Sequence, residues 1–149
     1  MLQQLSVPSP VGTLTLTEDD GAIVSIAWGR EAGHNGNPLL AEAARQLEAY
    51  FAGDLTNFDL PLRPAGSAFE QRVWAAMRQI PYGKTQCYGA LAASIGSAAR
   101  AVGGACGRNP IPIVIPCHRV LAKAGLGGYS GRGGLATKQT LLSLEAALA

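Results

Sequence analysis

No apolar run in the 149 residues approaches the roughly 20 that a membrane-spanning helix needs. The amino terminus, MLQQLSVPSP, lacks both a basic stretch and an apolar one. It does not read as a secretory signal, and a cytoplasmic location is the default expectation. Cysteine is scarce: Cys87, Cys106 and Cys117 are the whole complement. An odd count with no Cys-x-x-Cys pair argues against a disulfide framework and against a thiolate zinc site. It implies a reducing compartment in which the thiols stay free. Internal repeats are absent, and low-complexity character is confined to GLGGYSGRGG at 125–134.

Acidic residues are scarce in the second half. Residues 65–149 hold only Glu70 and Glu145 against nine basic residues, a balance of +7. Residues 1–64 show the reverse, with three basic residues against eight acidic, a balance of −5. A half with so few acids fits a polyanion-binding surface as well as a solvated face of uneven charge. The overall composition, 48% hydrophobic and 15% charged, supports a buried core and excludes disorder. The length fits one domain, or two small ones sharing a core.

Residues 1–64 read as a small α/β domain. VGTLTLT (11–17) alternates apolar and polar residues, EDDG (18–21) is a turn, and AIVSIAW (22–28) is a second strand. Asn37 caps a helix with Pro38 in its first turn, and Gly53 ends it. Leu40, Ala43, Ala44, Leu47, Tyr50 and Phe51 line one face. FDLPLRPAG (58–66) reads as a linker.

Residues 65–149 are mostly helical. Ser67 and Glu70 form a capping box ahead of a helix that carries Phe69, Val73, Trp74, Met77 and Ile80. YGALAASIG (88–96) is a short helix, and Ser97 is expected to cap the next, AARAVGGACGRN. Two short helices joined by a tight glycine turn describe either a helix-turn-helix or a plain helical hairpin. The second helix is small on most faces, with Arg100 as its one long side chain near the start. Paired glycines in a helix cost roughly 1 kcal/mol each against alanine, so Gly103 and Gly104 need a close neighbour, a helix or a nucleic-acid backbone. Such a surface suits a narrow groove with one inserted probe better than reading of bases in the major groove. A last helix over 135–148 turns Leu135, Leu141, Leu142 and Leu148 toward a core.

One short stretch, IPIVIPCHRV (111–120), delivers a thiol, an imidazole and a guanidinium in succession at the end of what reads as a buried strand. Neighbours on a strand face opposite ways, so Cys117 and His118 need a turn at Pro116 to share a pocket. His118, Arg119 or a helix N-terminus would then favour the thiolate, the form that acts as nucleophile. The imidazole needs an orienting acceptor, and Glu145 is the candidate. A lone cysteine beside a histidine is more often a small core residue.

NPIPIVIPCHRV (109–120) followed by GGYSGRGGLATKQTLLSLE (127–145) resembles the active-site region of the O(6)-alkylguanine-DNA alkyltransferases, the methylated-DNA–protein-cysteine methyltransferases. FEQRVWAAMRQIPYGKTQCYGALAASIG and AARAVGGACGRNP resemble the DNA-binding half of that family. The match runs in the same order over about residues 67–146. The first half resembles the family's variable N-terminal domain only in its α/β pattern.

The resemblance implies an α/β (α+β) protein. A ribonuclease-H-like hairpin sheet with a helix (1–64) would precede a winged helix-turn-helix domain carrying the reactive cysteine (65–149). It implies a repair protein that binds double-stranded DNA from the minor-groove side and flips out O(6)-alkylated guanine. O(4)-alkylated thymine is a second candidate lesion. The alkyl group passes irreversibly to Cys117, once per molecule. In catalytic roles it places Cys117 as acceptor, His118 as base through a water, and Glu145 behind His118. Tyr88 helps rotate the nucleotide, and Asn109 holds the turn. Against DNA it places Arg100 in the gap left by the base, with Tyr88, Ser97, Ala99, Gly103, Ser130 and Arg119 also in contact. The residue's own context leans to a structural place for Arg119, bridging domains or capping a helix, rather than a catalytic one. Around the guanine it places Tyr129, Ser130, Val120, Pro112 and Gly131. Arg132 and Lys138 read as phosphate contacts or solvated charge.

No cofactor is implied, and a monomer is expected. Some family members hold zinc with cysteine and histidine in the first domain. Residues 1–64 have no cysteine and only His34, so no metal is expected. Cys87 stands where the family commonly has a small hydroxyl residue, which would change how the following helix is capped.

Three other readings compete. An alkyltransferase-like protein would bind the lesion without transfer, but such proteins replace the reactive cysteine. A Cys-His hydrolase would need an oxyanion hole and repeated turnover. A sequence-reading regulator would need longer side chains on the second helix.

Overall fold

The computed structural model describes residues 2–29, 37–122 and 134–145. The chain divides into two compact units between Ala65 and Gly66. The first unit is a three-stranded antiparallel sheet in the order β1 (Leu2–Val7), β2 (Leu14–Asp19), β3 (Ala22–Trp28), with helix α1 (Pro38–Phe51). The turn between β2 and β3 is Asp20-Gly21, both at positive φ (50° and 82°), the geometry that closes a two-residue hairpin. Leu14 and Leu16 of β2 and Leu40, Leu47 and Tyr50 of α1 make the core.

Asn37 caps α1 as its sequence predicts: Oδ1 accepts from the Leu40 N–H at 2.8 Å, with Pro38 in the first turn. Two features escaped the sequence. β1 has no clean alternation, and it pairs along its whole length with β2. The expected linker at 58–66 is in part an added edge. Ile23 donates to the carbonyl of Pro61 at 2.8 Å, and Arg63 donates to that of Ile23 at 2.9 Å.

The second unit starts with the expected capping box, Ser67 with Glu70, on helix α2 (Ala68–Met77). Val73, Trp74 and Met77 are buried, and the Trp74 indole donates to the carbonyl of Ala105 at 2.9 Å. Helix α3 (Tyr88–Ser94) and helix α4 (Ala99–Gly107) form the turn-linked pair. Gly96 at φ +68° closes α3. It donates to the carbonyl of Ala93, and Ser97 donates to that of Ala92, which together satisfy the orphan carbonyls of the last turn. Ser97 thereby acts at the end of α3 and not as the cap of α4. The N-cap of α4 is Ala98, with no side-chain bond.

The wing is minimal: β4 (Gln86–Cys87) runs parallel to β5 (Val120–Leu121). Helix α5 (Leu135–Leu144) returns beneath the segment that follows α4. Leu141 and Leu142 are fully buried, but Leu135 is 49% exposed and does not join the core as expected. Residues 146–148 of the predicted helix lie outside the described residues. No helix among the described residues is long and apolar enough to cross a membrane.

Candidate active site

Ile113-Val114-Ile115 is not a strand. Pro112 and Pro116 flank it and lack N–H groups, so it cannot take a regular place in a ladder. The chain instead folds on itself. Ile115 donates to the carbonyl of Ile111 at 2.9 Å, and Cys117 donates to that of Ile115 at 2.8 Å. Ile113 sits at φ +74°, a region a β-branched residue rarely enters. Asn109 holds this loop: its Nδ2 donates to the Ile115 carbonyl at 2.8 Å, and its Oδ1 accepts from the Ile111 N–H at 3.0 Å. The backbone strain, of order 1–3 kcal/mol, is tolerated because both ends are tied.

The loop ends in a single 3₁₀ turn, Cys117–Arg119, and that turn resolves the objection to adjacency. All three residues of the turn are buried. His118 is wholly buried, and its Nε2 lies 2.7 Å from Glu145 Oε2, at the C-terminal end of α5. The Glu145 carboxylate also accepts from Arg119, at 2.8 Å from Nε and 3.0 Å from Nη2. A carboxylate held by a guanidinium accepts rather than donates. His118 therefore carries its proton on Nε2, leaving a lone pair on Nδ1. That Nδ1 is buried and meets no hydrogen-bond partner among the described residues.

Burial is the main cause of the shifts here. It lowers the His118 imidazole pKa against the opposing pull of Glu145, so the neutral ring is favoured. It raises the Cys117 thiol, while a hydrogen bond from Asn109, the charge of Lys138 and nearby backbone N–H groups pull the other way. Burial also pushes the Tyr88 hydroxyl up to about 12, keeping it a hydrogen-bond donor at neutral pH.

The His118 shift has a consequence for stability. Below the ordinary imidazole value of 6.5 the unfolded ring takes up a proton that the folded ring resists. Stability from this group is therefore present above that pH and declines as pH falls through it. Urea midpoints measured from pH 7.5 to 5 will drop, and the drop will be shallower in His118→Gln. An equal pH slope in the two proteins would remove His118 as its source.

Arg119 corrects an expectation. Its guanidinium is buried, paired with Glu145, donates to the Ile80 carbonyl at 2.7 Å, and lies 5.8 Å from the Tyr82 ring centroid. It bridges α5, the 3₁₀ turn and the segment that follows α2, the structural place its sequence also suits. Lys138 corrects another: it is fully buried, with Nζ donating to the Val120 carbonyl at 2.7 Å and lying 5.8 Å from the Tyr88 ring centroid. The signal was present in the sequence. Lys138, Leu141, Leu142 and Glu145 follow the i, i+3, i+4, i+7 pattern of one buried helix face.

The other predicted residues separate by element. Val120 and Pro112 are buried beside the turn. Arg100 and Ala99 are exposed on α4 and Gly103 is half-buried. Tyr88, half-buried, opens α3, where the Cys87 thiol accepts from the Ala90 N–H at 3.4 Å in place of a hydroxyl cap. Tyr129, Ser130, Gly131, Arg132 and His34 lie outside the described residues. Among the described residues no group of three histidines, cysteines or carboxylates is placed to hold a metal.

A helix-turn-helix whose own C-terminal turn buries a thiol beside a carboxylate-oriented imidazole defines a class: DNA-binding proteins with cysteine as their reactive group. Comparison with known proteins is specific. Residues 68–147 match the DNA binding domain of 6-O-methylguanine DNA methyltransferase, and residues 5–64 match its ribonuclease-like domain. The chain is 48% identical over 155 residues to a methylated-DNA–protein-cysteine methyltransferase of Mycolicibacterium paratuberculosis, covering 97% of this chain and 93% of that one. It is also similar to the crystal structure of Mycobacterium tuberculosis O6-methylguanine methyltransferase. The TM-score is 0.88 at 42% identity, over 100% of this chain and 95% of that chain. The structure of the same organism's protein in complex with DNA gives 0.87 at 43% identity, over 97% and 93%. The chain belongs to the 6-O-methylguanine DNA methyltransferase family.

Proposed function

We propose that this chain is a DNA-repair protein that moves the alkyl group of O(6)-alkylguanine in duplex DNA onto its own Cys117. The single observation that carries the assignment to Cys117 is its place on one buried turn with His118, whose Nε2 is held by Glu145. In this reading the Nδ1 lone pair of His118 takes the thiol proton through a bridging water. The thiolate attacks the alkyl carbon in line, the S–C bond forms, and the O6–C bond breaks. Guanine leaves with the electron pair and is protonated, and in this reading the neutral Tyr88 hydroxyl donates a hydrogen bond to it. The thioether has no route back to a thiol, so each molecule reacts once.

The DNA side rests on α4. Among the described residues an added Cβ at Gly103 would meet nothing within 4 Å, and the nearest atoms to one at Gly104 belong to the flexible Arg108 side chain. Helix packing therefore does not require the paired glycines, and close approach of a nucleic-acid backbone supplies the reason. Arg100 is the one long side chain on the exposed face and enters the stack where the base has left. Ser97, Ala99 and Gly103 lie along the backbone. In this reading Val120 and Pro112 line the guanine pocket, and Tyr129, Ser130 and Gly131, outside the described residues, are assigned to it by the family resemblance alone. O(4)-alkylated thymine is the second lesion, the working form is a monomer, and the site of action is the cytoplasm.

The test is the intact mass of the protein after incubation with a duplex carrying one O(6)-methylguanine. The expected result is a gain of one methyl group, located on the peptide that holds Cys117 and saturating at one per molecule. DNA binding with no gain in mass would leave lesion recognition without transfer.

A further inference from the structure

Residues 65–149 hold two acids, and while Glu145 belongs to the active site, Glu70 stands elsewhere. Glu70 lies in the first turn of α2, and its carboxylate serves two partners. Oε1 accepts from the Ser67 N–H at 2.8 Å, the return bond of the capping box. Oε2 accepts from Nε of Arg108, the residue that ends α4. The bond from Arg108, ahead of those from Ser67, holds the Glu70 carboxyl below its ordinary value, so it is charged at neutral pH. The Glu70 side chain is 13% exposed and that of Arg108 61%. An ion pair this open adds little to stability, so its geometry asks for another use.

The anchor is rigid. A Cβ added at Gly66 would lie 2.9 Å from Glu70 Oε1 and 2.4 Å from the Trp74 ring, so the backbone there closes over both side chains. The Ala105 carbonyl accepts from the Trp74 indole at 2.9 Å and from the Arg108 backbone N–H at 3.2 Å. Arg108 is thus tied to α2 through its main chain and its side chain at once. Its guanidinium lies along α4 at Gly104, where an added Cβ would come within 3.3 Å of Nη1 and 3.6 Å of Nη2. A guanidinium carries five N–H donors. Glu70 takes the one on Nε, and among the described residues the Nη groups bond no acceptor.

Arg100, in the first turn of α4, and Arg108, just past the last, stand about 12 Å apart along the axis at 1.5 Å per residue. Between them Gly103 and Gly104 are half-buried and Gly107 is exposed, and none carries a side chain to hold a strand off the helix. We propose that Arg108 is a phosphate clamp at the end of α4, its guanidinium held beside Gly104 by Glu70 so that its Nη donors meet a phosphate of the DNA strand lying on the glycine face. The proposal rests on α4 being the helix that lies on DNA. Glu70 is the positioning residue. Two parallel bonds to a phosphate need the planar fork at a fixed angle, and a carboxylate locked by the capping box supplies that angle.

The experiment is titration of the intact protein with an undamaged duplex over a range of salt. Arg108→Gln is expected to weaken binding about tenfold at low salt, alike for different sequences, and to reduce the slope of log K against log[salt] by about one. Arg108→Lys keeps the charge and loses the fork, so it restores the slope but only part of the affinity. Glu70→Gln keeps an acceptor for Ser67 and loses the anchor. In that background the loss on Arg108→Gln is expected to shrink to about threefold or less. Gly103→Glu tests the face itself. Among the described residues its Cβ has open space, and an acid there will repel the strand and abolish binding.

Parent-like binding by Arg108→Gln, or full recovery in Arg108→Lys, would overturn the clamp. An equal loss on Arg108→Gln with and without Glu70 would mean that Glu70 does not aim the guanidinium. A larger loss without Glu70 would mean that it competes with the phosphate, and either result would overturn the proposal. Failure of the underlying assignment looks different: Gly103→Glu would bind DNA as the parent does, and α4 would not be the helix on the DNA.

Discussion

Cys117→Ser is expected to abolish methyl transfer and to leave affinity for alkylated duplex nearly unchanged. The thiolate is the nucleophile, and a serine hydroxyl in the same pocket would not ionise at neutral pH. Loss on the order of a million-fold is the scale seen when a nucleophile is removed. The fold should survive. Cys117 is 6% exposed, serine is nearly isosteric, and the Asn109 amide that bonds the thiol can bond a hydroxyl. DNA binding depends on α4, which the change does not touch. Rate from single-turnover transfer and affinity from titration with the same methylated duplex check the two halves separately. Retained transfer would move the acceptor elsewhere. Cys87 would be the first suspect, since it is the half-buried thiol of the three and Cys106 is sealed against Met77.

Glu145→Ala is expected to be the costliest single change in the second unit. Glu145 joins His118 and Arg119 in a wholly buried cluster. Removing it leaves the Arg119 guanidinium as an uncompensated buried charge and frees the His118 ring. Breaking a buried pair from one side costs about 3–5 kcal/mol. Urea unfolding should show that loss, and transfer should fall with it because Nδ1 is no longer aimed. Glu145→Gln separates the effects: its amide oxygen still accepts from Arg119, so more stability returns than activity. A Glu145→Ala protein within about 1 kcal/mol of the parent would mean that solvent or a shifted side chain neutralises Arg119, and the cluster would lose its structural role.

The contrast between Glu145 and Lys138 shows how the two kinds of information divide. Both lie on one heptad-spaced face of α5, and both are charges on a buried stripe. Glu145 was singled out because an imidazole next to a thiol needs an acceptor and few acids were available. Lys138 reads as a phosphate contact or solvated charge because lysine is usually exposed, although its spacing with Leu141, Leu142 and Glu145 marks the buried face of α5. For Arg119 the sequence leaves a DNA contact beside a structural place, and the Ile80 carbonyl with Glu145 supplies the partners of the second.

Local chemistry was legible wherever one residue type answers one local demand. Asn37 ahead of Pro38, Ser67 with Glu70, Asp20-Gly21 and Gly96 are each dictated within four residues of chain. Such signals placed the hairpin, α1, α2 and the α3–α4 turn without any tertiary knowledge. β1 was not legible because LQQLSV lacks a clean apolar–polar alternation, and Ser97 misled because two helix ends compete for one short segment.

By itself the sequence determined the β2–β3 hairpin, the helices and the caps of α1 and α2, the basic character of the second half and the presence of one Pro-Cys-His-Arg stretch. Those are properties of neighbours along the chain, set by backbone preference and composition. The tertiary structure decided that Ile113-Val114-Ile115 folds back instead of extending. It also decided that a 3₁₀ turn gathers Cys117 and His118 at one place, and that Glu145, Arg119 and Lys138 are buried against them. Burial converts ordinary ionisable groups into a coupled set, because only in a water-poor interior does each charge depend on which partner another element brings.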